Sequence, residues 1–309
     1  MHKVISIIVP AYNEEENLPV VTERLYSLFK NSLYQLELIF INDGSRDGSL
    51  QILKELSAKY PGLYYIDFSR NFGQQNALRA GYDFATGDAV ICMDADLQNP
   101  PEVVKELVQK WEEGYEVVIC KRRDATQNAG AFKESTSRLF YKVMSFLTNI
   151  SIEPNSPDFR LIDRKLVNVI KDLTEKDIFF RGLISWMGFR KAVIEYDHSL
   201  RLHGDTKYSL KKMLKLASSG LTSFSVKPLH LAIYLGLIIS SLSILYIPYA
   251  LYSYYSGEAI SGWASLIVTV SFFGGLQLLI LGVIGLYLGK LFMQSKQRPE
   301  YIVRETNLR

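Results

Sequence analysis

Val90-Ile91-Cys92-Met93-Asp94-Ala95-Asp96-Leu97-Gln98 decides how this chain is read. An apolar run of strand length ends in two acids spaced i, i+2. A short run without polar alternation fits a strand covered on both faces, as in a parallel sheet. In extended backbone that spacing puts both carboxylates on one side. Two adjacent carboxylates repel unless a cation lies between them. The hard oxygens of Asp94 and Asp96, with the amide of Gln98 as a third donor, suit Mg²⁺ or Mn²⁺ and leave positions for phosphate oxygens. Taken alone, the same pair also fits solvated loop acids. Its place at the end of a buried strand favours a site, because open α/β sheets bind ligands there.

Working outward, strands and helices alternate at short intervals. Val4–Pro10, Leu36–Ile41 and Leu63–Phe68 read as strands. Helices are expected between them, ending near Lys30 and Tyr60, and a third from about Gln75 to Ala85. Glu116–Cys120 and Lys191–Tyr196 read as later strands. This pattern predicts a mostly parallel, Rossmann-like α/β sheet covered by helices, with the site in the loops after the strands. Polar turns follow the early strands: Ala11-Tyr12-Asn13-Glu14, Asn42-Asp43-Gly44-Ser45 and Ser69-Arg70-Asn71-Phe72-Gly73. Asp43 could accept from a base N–H and Arg70 could pair with phosphate; by itself Asp43 also fits an Asx-turn or helix cap. No G-x-G-x-x-G or Walker lysine loop is present, which disfavours dinucleotide oxidoreductases and P-loop NTPases.

The 309 residues carry a net charge of +3 with no clustered basic stripe, so a nucleic acid partner is not expected. Cys92 and Cys120 each end an apolar run and read as buried and reduced. Met1-His2-Lys3 leads straight into a strand, so no signal peptide is expected. The last quarter is almost free of charge. Residues 231–257 and 259–289 are each long enough to span a bilayer, with only Glu258 between them. Tyrosines and Trp263 crowd the turn, as at a membrane interface, and Lys227, Lys290, Lys296 and Arg298 flank the pair. These features predict a two-helix transmembrane hairpin in the inner (plasma) membrane, with both termini and the main domain cytosolic. Glycines 274, 275, 282, 285 and 289 give surfaces on which such helices self-associate. Residues 131–150 and 208–224 are amphipathic. The first fits a core or an interfacial helix; the second, beside the membrane segment, fits an interfacial one.

Val9-Pro10-Ala11-Tyr12-Asn13-Glu14, Asn42-Asp43-Gly44-Ser45, Arg70-Asn71-Phe72-Gly73 and Asp94-Ala95-Asp96-Leu97-Gln98, in that order, resemble family 2 glycosyltransferases. The similarity is closest to the polyprenyl-phosphate branch, which includes bactoprenol glucosyltransferases of O-antigen modification and dolichyl-phosphate mannose synthase. Asn42 departs from it, since many members carry a second acid there. The resemblance implies a GT-A catalytic domain over residues 1–204. An amphipathic interfacial helix (205–228), two transmembrane helices (229–293) and a cytosolic tail (294–309) would follow.

The resemblance also implies roles. Pro10, Tyr12, Glu14, Asp43, Arg70, Asp94 and Ala95 would bind the nucleotide sugar. Asp94, Asp96 and Gln98 would hold the metal, with Asp96 and Asp158 catalytic. Arg122, Arg201 and Lys207 would bind the acceptor phosphate; the last two lie in Arg201-Leu202-His203-Gly204-Asp205-Thr206-Lys207-Tyr208, which matches a family element. Asp158, beside Pro157 and before Phe159-Arg160, would orient or deprotonate the acceptor phosphate; as a plain loop acid it would pair with Arg160. The implied reaction is metal-dependent, inverting transfer of glucose from UDP-glucose to undecaprenyl phosphate at the cytosolic leaflet. Implied partners are the bilayer, a homo-oligomer such as a tetramer, and a downstream flippase or glycosyltransferase. A GDP-mannose-dependent mannose synthase and a silent nucleotide-sugar-binding scaffold remain open alternatives.

Overall fold

The computed structural model describes residues 3–123, 153, 156–176, 178–197, 225–256 and 262–308. They fall into two compact units. The first comprises the described residues within Met1–Phe146, Ile150–Gly220 and Pro299–Arg309, and the second those within Leu221–Arg298.

The first unit is built on one eight-stranded sheet. In chain order the strands are β1 (Val4–Ala11), β2 (Gln35–Asn42), β3 (Leu63–Phe68), β4 (Ala89–Cys92), β5 (Val117–Arg122), β6 (Arg160–Asp163), β7 (Lys191–Tyr196) and β8 (Val303–Thr306). In space they run β7-β5-β6-β4-β1-β2-β3-β8. β1 pairs parallel with β2 and β4, as do β2 with β3 and β5 with β7. After β3 the order reverses, and β4 returns to the other side of β1. The ends of β1 and β4 therefore diverge at a topological switch point, where open sheets form their crevice.

Helices cover both faces. α1 (Asn17–Phe29) buries Leu18, Val21 and Leu25, and α4 (Val104–Glu112) buries Val104, Leu107, Val108 and Trp111. Both follow the 3.6-residue period. α2 (Ser49–Lys59), α3 (Gln74–Phe84), α5 (Arg164–Asp172) and α6 (Phe180–Trp186) complete the layers. Central β1 has Ile5, Ile7, Ile8 and Val9 fully buried. Each such side chain contributes roughly 1.5–3 kcal/mol of transfer free energy. That core holds the strand ends, and hence the site loops, in place.

The sheet is mixed rather than mostly parallel in its second half. β6 lies antiparallel between β4 and β5, with Arg160 opposite both Cys92 and Ile119. A parallel strand brings its end to the crevice, whereas this antiparallel one brings its beginning, Asp158-Phe159-Arg160. β8 runs antiparallel along β3. Part of the stretch expected as a cytosolic tail (294–309) is therefore a sheet edge of the first unit.

The second unit contains α7 (Lys227–Tyr255, with Pro248 inside) and α8 (Trp263–Ser295). Val268, Phe272, Leu278 and Leu288 of α8 are all more than 60% exposed, an apolar surface of the kind that marks a protein or membrane contact. Val268–Ser295 is long and apolar enough to cross a membrane. Of the two expected spans, this one meets that measure among the described residues; the apolar stretch found in α7, Leu229–Ile239, is shorter. The expected amphipathic segments 131–150 and 208–224 lie outside the described residues.

Candidate active site

β4 ends at Cys92, and the acids follow in a turn rather than in extended chain. Met93 N–H still bonds Ile8 O, after which the backbone folds over. Leu97 takes a left-handed conformation (φ 59°), unusual for a branched apolar residue. Its side chain is 1% exposed, so core packing holds the turn. Gln98 N–H then donates back to Asp96 Oδ1 at 3.2 Å. The turn, not strand alternation, is what brings Asp94 and Asp96 within each other's field. Ala95 between them packs into the core.

Asp94 is oriented by two neutral amides. Gln74 Nε2 donates to Oδ1 at 2.8 Å and Asn99 Nδ2 to Oδ2 at 3.3 Å. Burial, then the charges of Asp158 and Asp96, push its pKa up to about 6, while Arg181 and Arg122 pull the other way. Among the described residues no group of three or more His, Cys, Asp or Glu forms a metal cage. The oxygen donors Asp94 and Asp96 nonetheless fit a hard divalent ion, because such an ion offsets both the burial of the Asp94 charge and the repulsion from its acidic neighbours.

Asp158 is 3% exposed and bound to two arginines. Arg160 Nη2 lies 2.6 Å from its Oδ1; Arg181 Nε and Nη2 lie 3.0 and 3.2 Å from Oδ1 and Oδ2. Burial pushes its pKa up, but the Arg181 and Arg160 guanidiniums outweigh that and hold it below the usual carboxylate value. A carboxylate held this way is a weak base. Gln75 also bonds Asp158, and its Oε1 accepts Phe180 N–H at 3.2 Å, tying α3 to the start of α6.

Arg122, at the end of β5, reaches Gln98 Oε1 and the Tyr196 hydroxyl, each at 3.4 Å. Tyr196 in turn donates to Asn99 Oδ1 at 2.6 Å. Gln98, Arg122, Tyr196, Asn99 and Asp94 thus form one chain of polar contacts across β4, β5 and β7.

The other expected residues gather past β1, β2 and β3. Pro10 pairs with Ile41 in the sheet, and half-buried Tyr12 follows in the loop. Glu14 stands just ahead of α1, and its Oε2 accepts from Asn17 Nδ2 at 2.6 Å. Asp43 is 4% exposed and accepts Phe72 N–H at 2.6 Å and Gly73 N–H at 2.9 Å. Burial raises its pKa, and the two amides and Arg70 moderate the rise. Asp43 therefore fastens the loop after β3 to the loop after β2. The backbones meet so closely that a Cβ on Gly44, at a φ of +64°, would collide with the Arg70 carbonyl carbon. Arg70 itself is exposed and lies over the Phe72 ring, 4.0 Å from its centroid.

The structure thus brings Asp94, Asp96, Gln98, Arg122 and Asp158 to one end of the sheet, beside the loops of Pro10, Tyr12, Glu14, Asp43 and Arg70. Arg201 and Lys207 lie outside the described residues. Gln74, Asn99, Arg181 and Tyr196 were not singled out by the sequence. Gln74 and Asn99 each stand one residue beyond a quoted segment, Gly73 and Gln98 being the last residues quoted. Arg181 sits alone in an apolar stretch, where nothing in the sequence points to Asp158.

Residues 6–170 match the family model Glycosyl transferase family 2. "Uncharacterized glycosyltransferase YkcC" of Bacillus subtilis (strain 168) is 47% identical, over 99% of this chain and 94% of that protein. "Prophage bactoprenol glucosyl transferase homolog" of Escherichia coli (strain K12) is 39% identical, over 97% and 98%. "Bactoprenol glucosyl transferase" of Shigella phage SfV is 40% identical, over 97% and 98%. A GT-A-type sheet, an acid pair at its switch point and near-full-length relatives of this kind lead to one conclusion: the chain is a glycosyltransferase and belongs to glycosyl transferase family 2.

Proposed function

We propose that this enzyme transfers glucose from UDP-glucose to undecaprenyl phosphate, or another polyprenyl phosphate, at the cytosolic face of the plasma membrane. The observation that carries this reading is the meeting of two kinds of charge at one sheet end. Asp94 and Asp96 suit a metal-bound diphosphate, and Arg122 and Arg181 put cations beside them. The names of the relatives supply the lipid and the sugar.

Asp94 and Asp96, with Gln98, would hold Mg²⁺ or Mn²⁺; the ion supplies charge to offset the leaving nucleoside diphosphate. Gln74 and Asn99 fix the Asp94 carboxylate in advance. Pro10, Tyr12, Glu14, Asp43 and Arg70 form the nucleotide end. Arg122, with Arg201 and Lys207 from the sequence element, holds the acceptor phosphate near the anomeric carbon. Asp158 acts as a positioning residue that aims Arg181. A strong base is not required, because a phosphate monoester with a second pKa of about 6 is largely dianionic at neutral pH. Direct attack of its oxygen on the anomeric carbon, with departure of UDP, inverts that centre. α7 and α8 would anchor the chain as a two-pass membrane protein, with a homo-oligomer and a downstream flippase or glycosyltransferase as partners.

The test is a transfer assay with full-length protein in detergent. Undecaprenyl phosphate is offered with UDP-glucose or GDP-mannose, with Mg²⁺ or Mn²⁺, and with chelator. Glucolipid formed only with metal and UDP-glucose is the expected result. Mannolipid from GDP-mannose would refute the donor, and nucleotide binding without product from either donor would refute catalysis.

A further inference from the structure

The C-terminal strand β8 carries more than a sheet edge needs. Asp67 pairs with Glu305 and Phe68 with Val303, so Arg304 is an extra residue in a β-bulge. Bulges re-aim side chains, and this one turns Arg304 onto Asp67. Arg304 Nε lies 2.6 Å from Oδ2 of Asp67, whose side chain is fully buried. The other oxygen, Oδ1, accepts Asn42 Nδ2 at 2.7 Å. Asn42 stands directly before Asp43, and its own Oδ1 accepts Ser45 N–H at 3.4 Å. One polar chain thus runs from Arg304 to the turn after β2.

A second path reaches the loop after β3. Ser69 N–H donates to Ile302 O at 3.0 Å. Tyr301 stacks on Phe68, centroids 5.1 Å apart, and its hydroxyl donates to Asp83 of α3 at 2.8 Å. Phe68 also meets Phe72 edge-on at 5.7 Å. The segment 301–304 therefore holds both loops that Asp43 clamps together, from the side away from the crevice.

We propose that residues 301–304 are positioning residues of the nucleotide site: Arg304 through Asp67 and Asn42, and Tyr301 and Ile302 through Phe68 and Ser69, set the 42–45 and 69–73 loops in the geometry that binds the donor. This rests on the reading that those loops take the nucleotide. Asn42 has a clear part here. It is a donor to Asp67, and a carboxylate in its place would repel the buried acid.

The test uses full-length protein and two readouts, amide hydrogen exchange without ligand and binding of UDP by calorimetry. Arg304→Ala should raise exchange across 69–74 at least tenfold while Val4–Ala11 stays as in the parent, and should weaken UDP binding about tenfold. Arg304→Lys should restore most of both. Tyr301→Phe, a milder change for use if Arg304→Ala does not fold, should shift both readouts in the same direction. Unchanged exchange at 69–74, or an equal rise in β1, would overturn the proposal. A parent protein that does not bind UDP would overturn the donor reading, while the exchange data would still judge the coupling itself.

Discussion

Replacing Asp158 with Asn would leave a buried guanidinium without its counter-charge. Arg160 has 3% of its side chain exposed, and its Nε already lacks a hydrogen-bond partner. Breaking a buried pair by removing one member costs about 3–5 kcal/mol. Arg181, at 22% side-chain exposure, is better hydrated and adds less. For a unit of this size the loss corresponds to a fall in Tm of roughly 6–20 °C. Adding Arg160→Leu should recover at least half of it, because a missing pair is tolerated far better than half a pair. The sign with pH follows from the depressed pKa. In the fold Asp158 ionises below the 3.8 of the unfolded chain, so its contribution is full above that value and is lost as pH falls through the folded pKa. Melting curves of parent and Asp158→Asn should therefore stay equally far apart from pH 8 to about 5 and converge below 3.8. A Tm within 2 °C of the parent, or additive effects in the double variant, would refute the positioning role derived from the ion pairs.

Gly44→Ala meets both a left-handed φ that L side chains disfavour and the Arg70 backbone, and should cost on the order of 3 kcal/mol, read as a lower urea midpoint with weakened UDP binding. Asp96→Asn should abolish transfer while the protein stays folded and membrane-bound; normal turnover would remove Asp96 from the metal. Lys207→Ala should raise KM for the lipid phosphate far more than for the nucleotide sugar, and an equal rise in both would take Lys207 out of the acceptor site.

The first half of the fold was legible because its signals are local. β-branched runs bounded by turn residues located β1 to β4, and the first three helices end within a residue of the expected positions. The second half depends on pairing, which composition does not encode. β6 has four residues, and nothing in Arg-Leu-Ile-Asp states which strands it joins or in which direction. β8 reads Val-Arg-Glu-Thr, a polar edge without an apolar face, and is held by side-chain bonds from Tyr65, Lys54 and Asp67. The site divides in the same way. Asp94 and Asp96 were found from their place after a buried strand. Gln74 and Asn99, which aim Asp94, and Arg181, on Asp158, depend on the tertiary fold. Asp43 stands in the turn after β2, and its two amide partners come from the loop after another strand.

The late position of β8 also has a consequence for biosynthesis. β3 is complete once Phe68 has been made, but its outer partner begins at Val303. At about 5–20 residues per second, the ribosome needs about 10–50 s to cover that interval. During that time the nascent sheet presents an unpaired edge, which is open to strand pairing with other chains. A chaperone has its window for protecting the chain there. A stop codon ahead of Val303 would leave that edge open for good, producing a protein with Asp94 and Asp96 in place and a lasting tendency to aggregate.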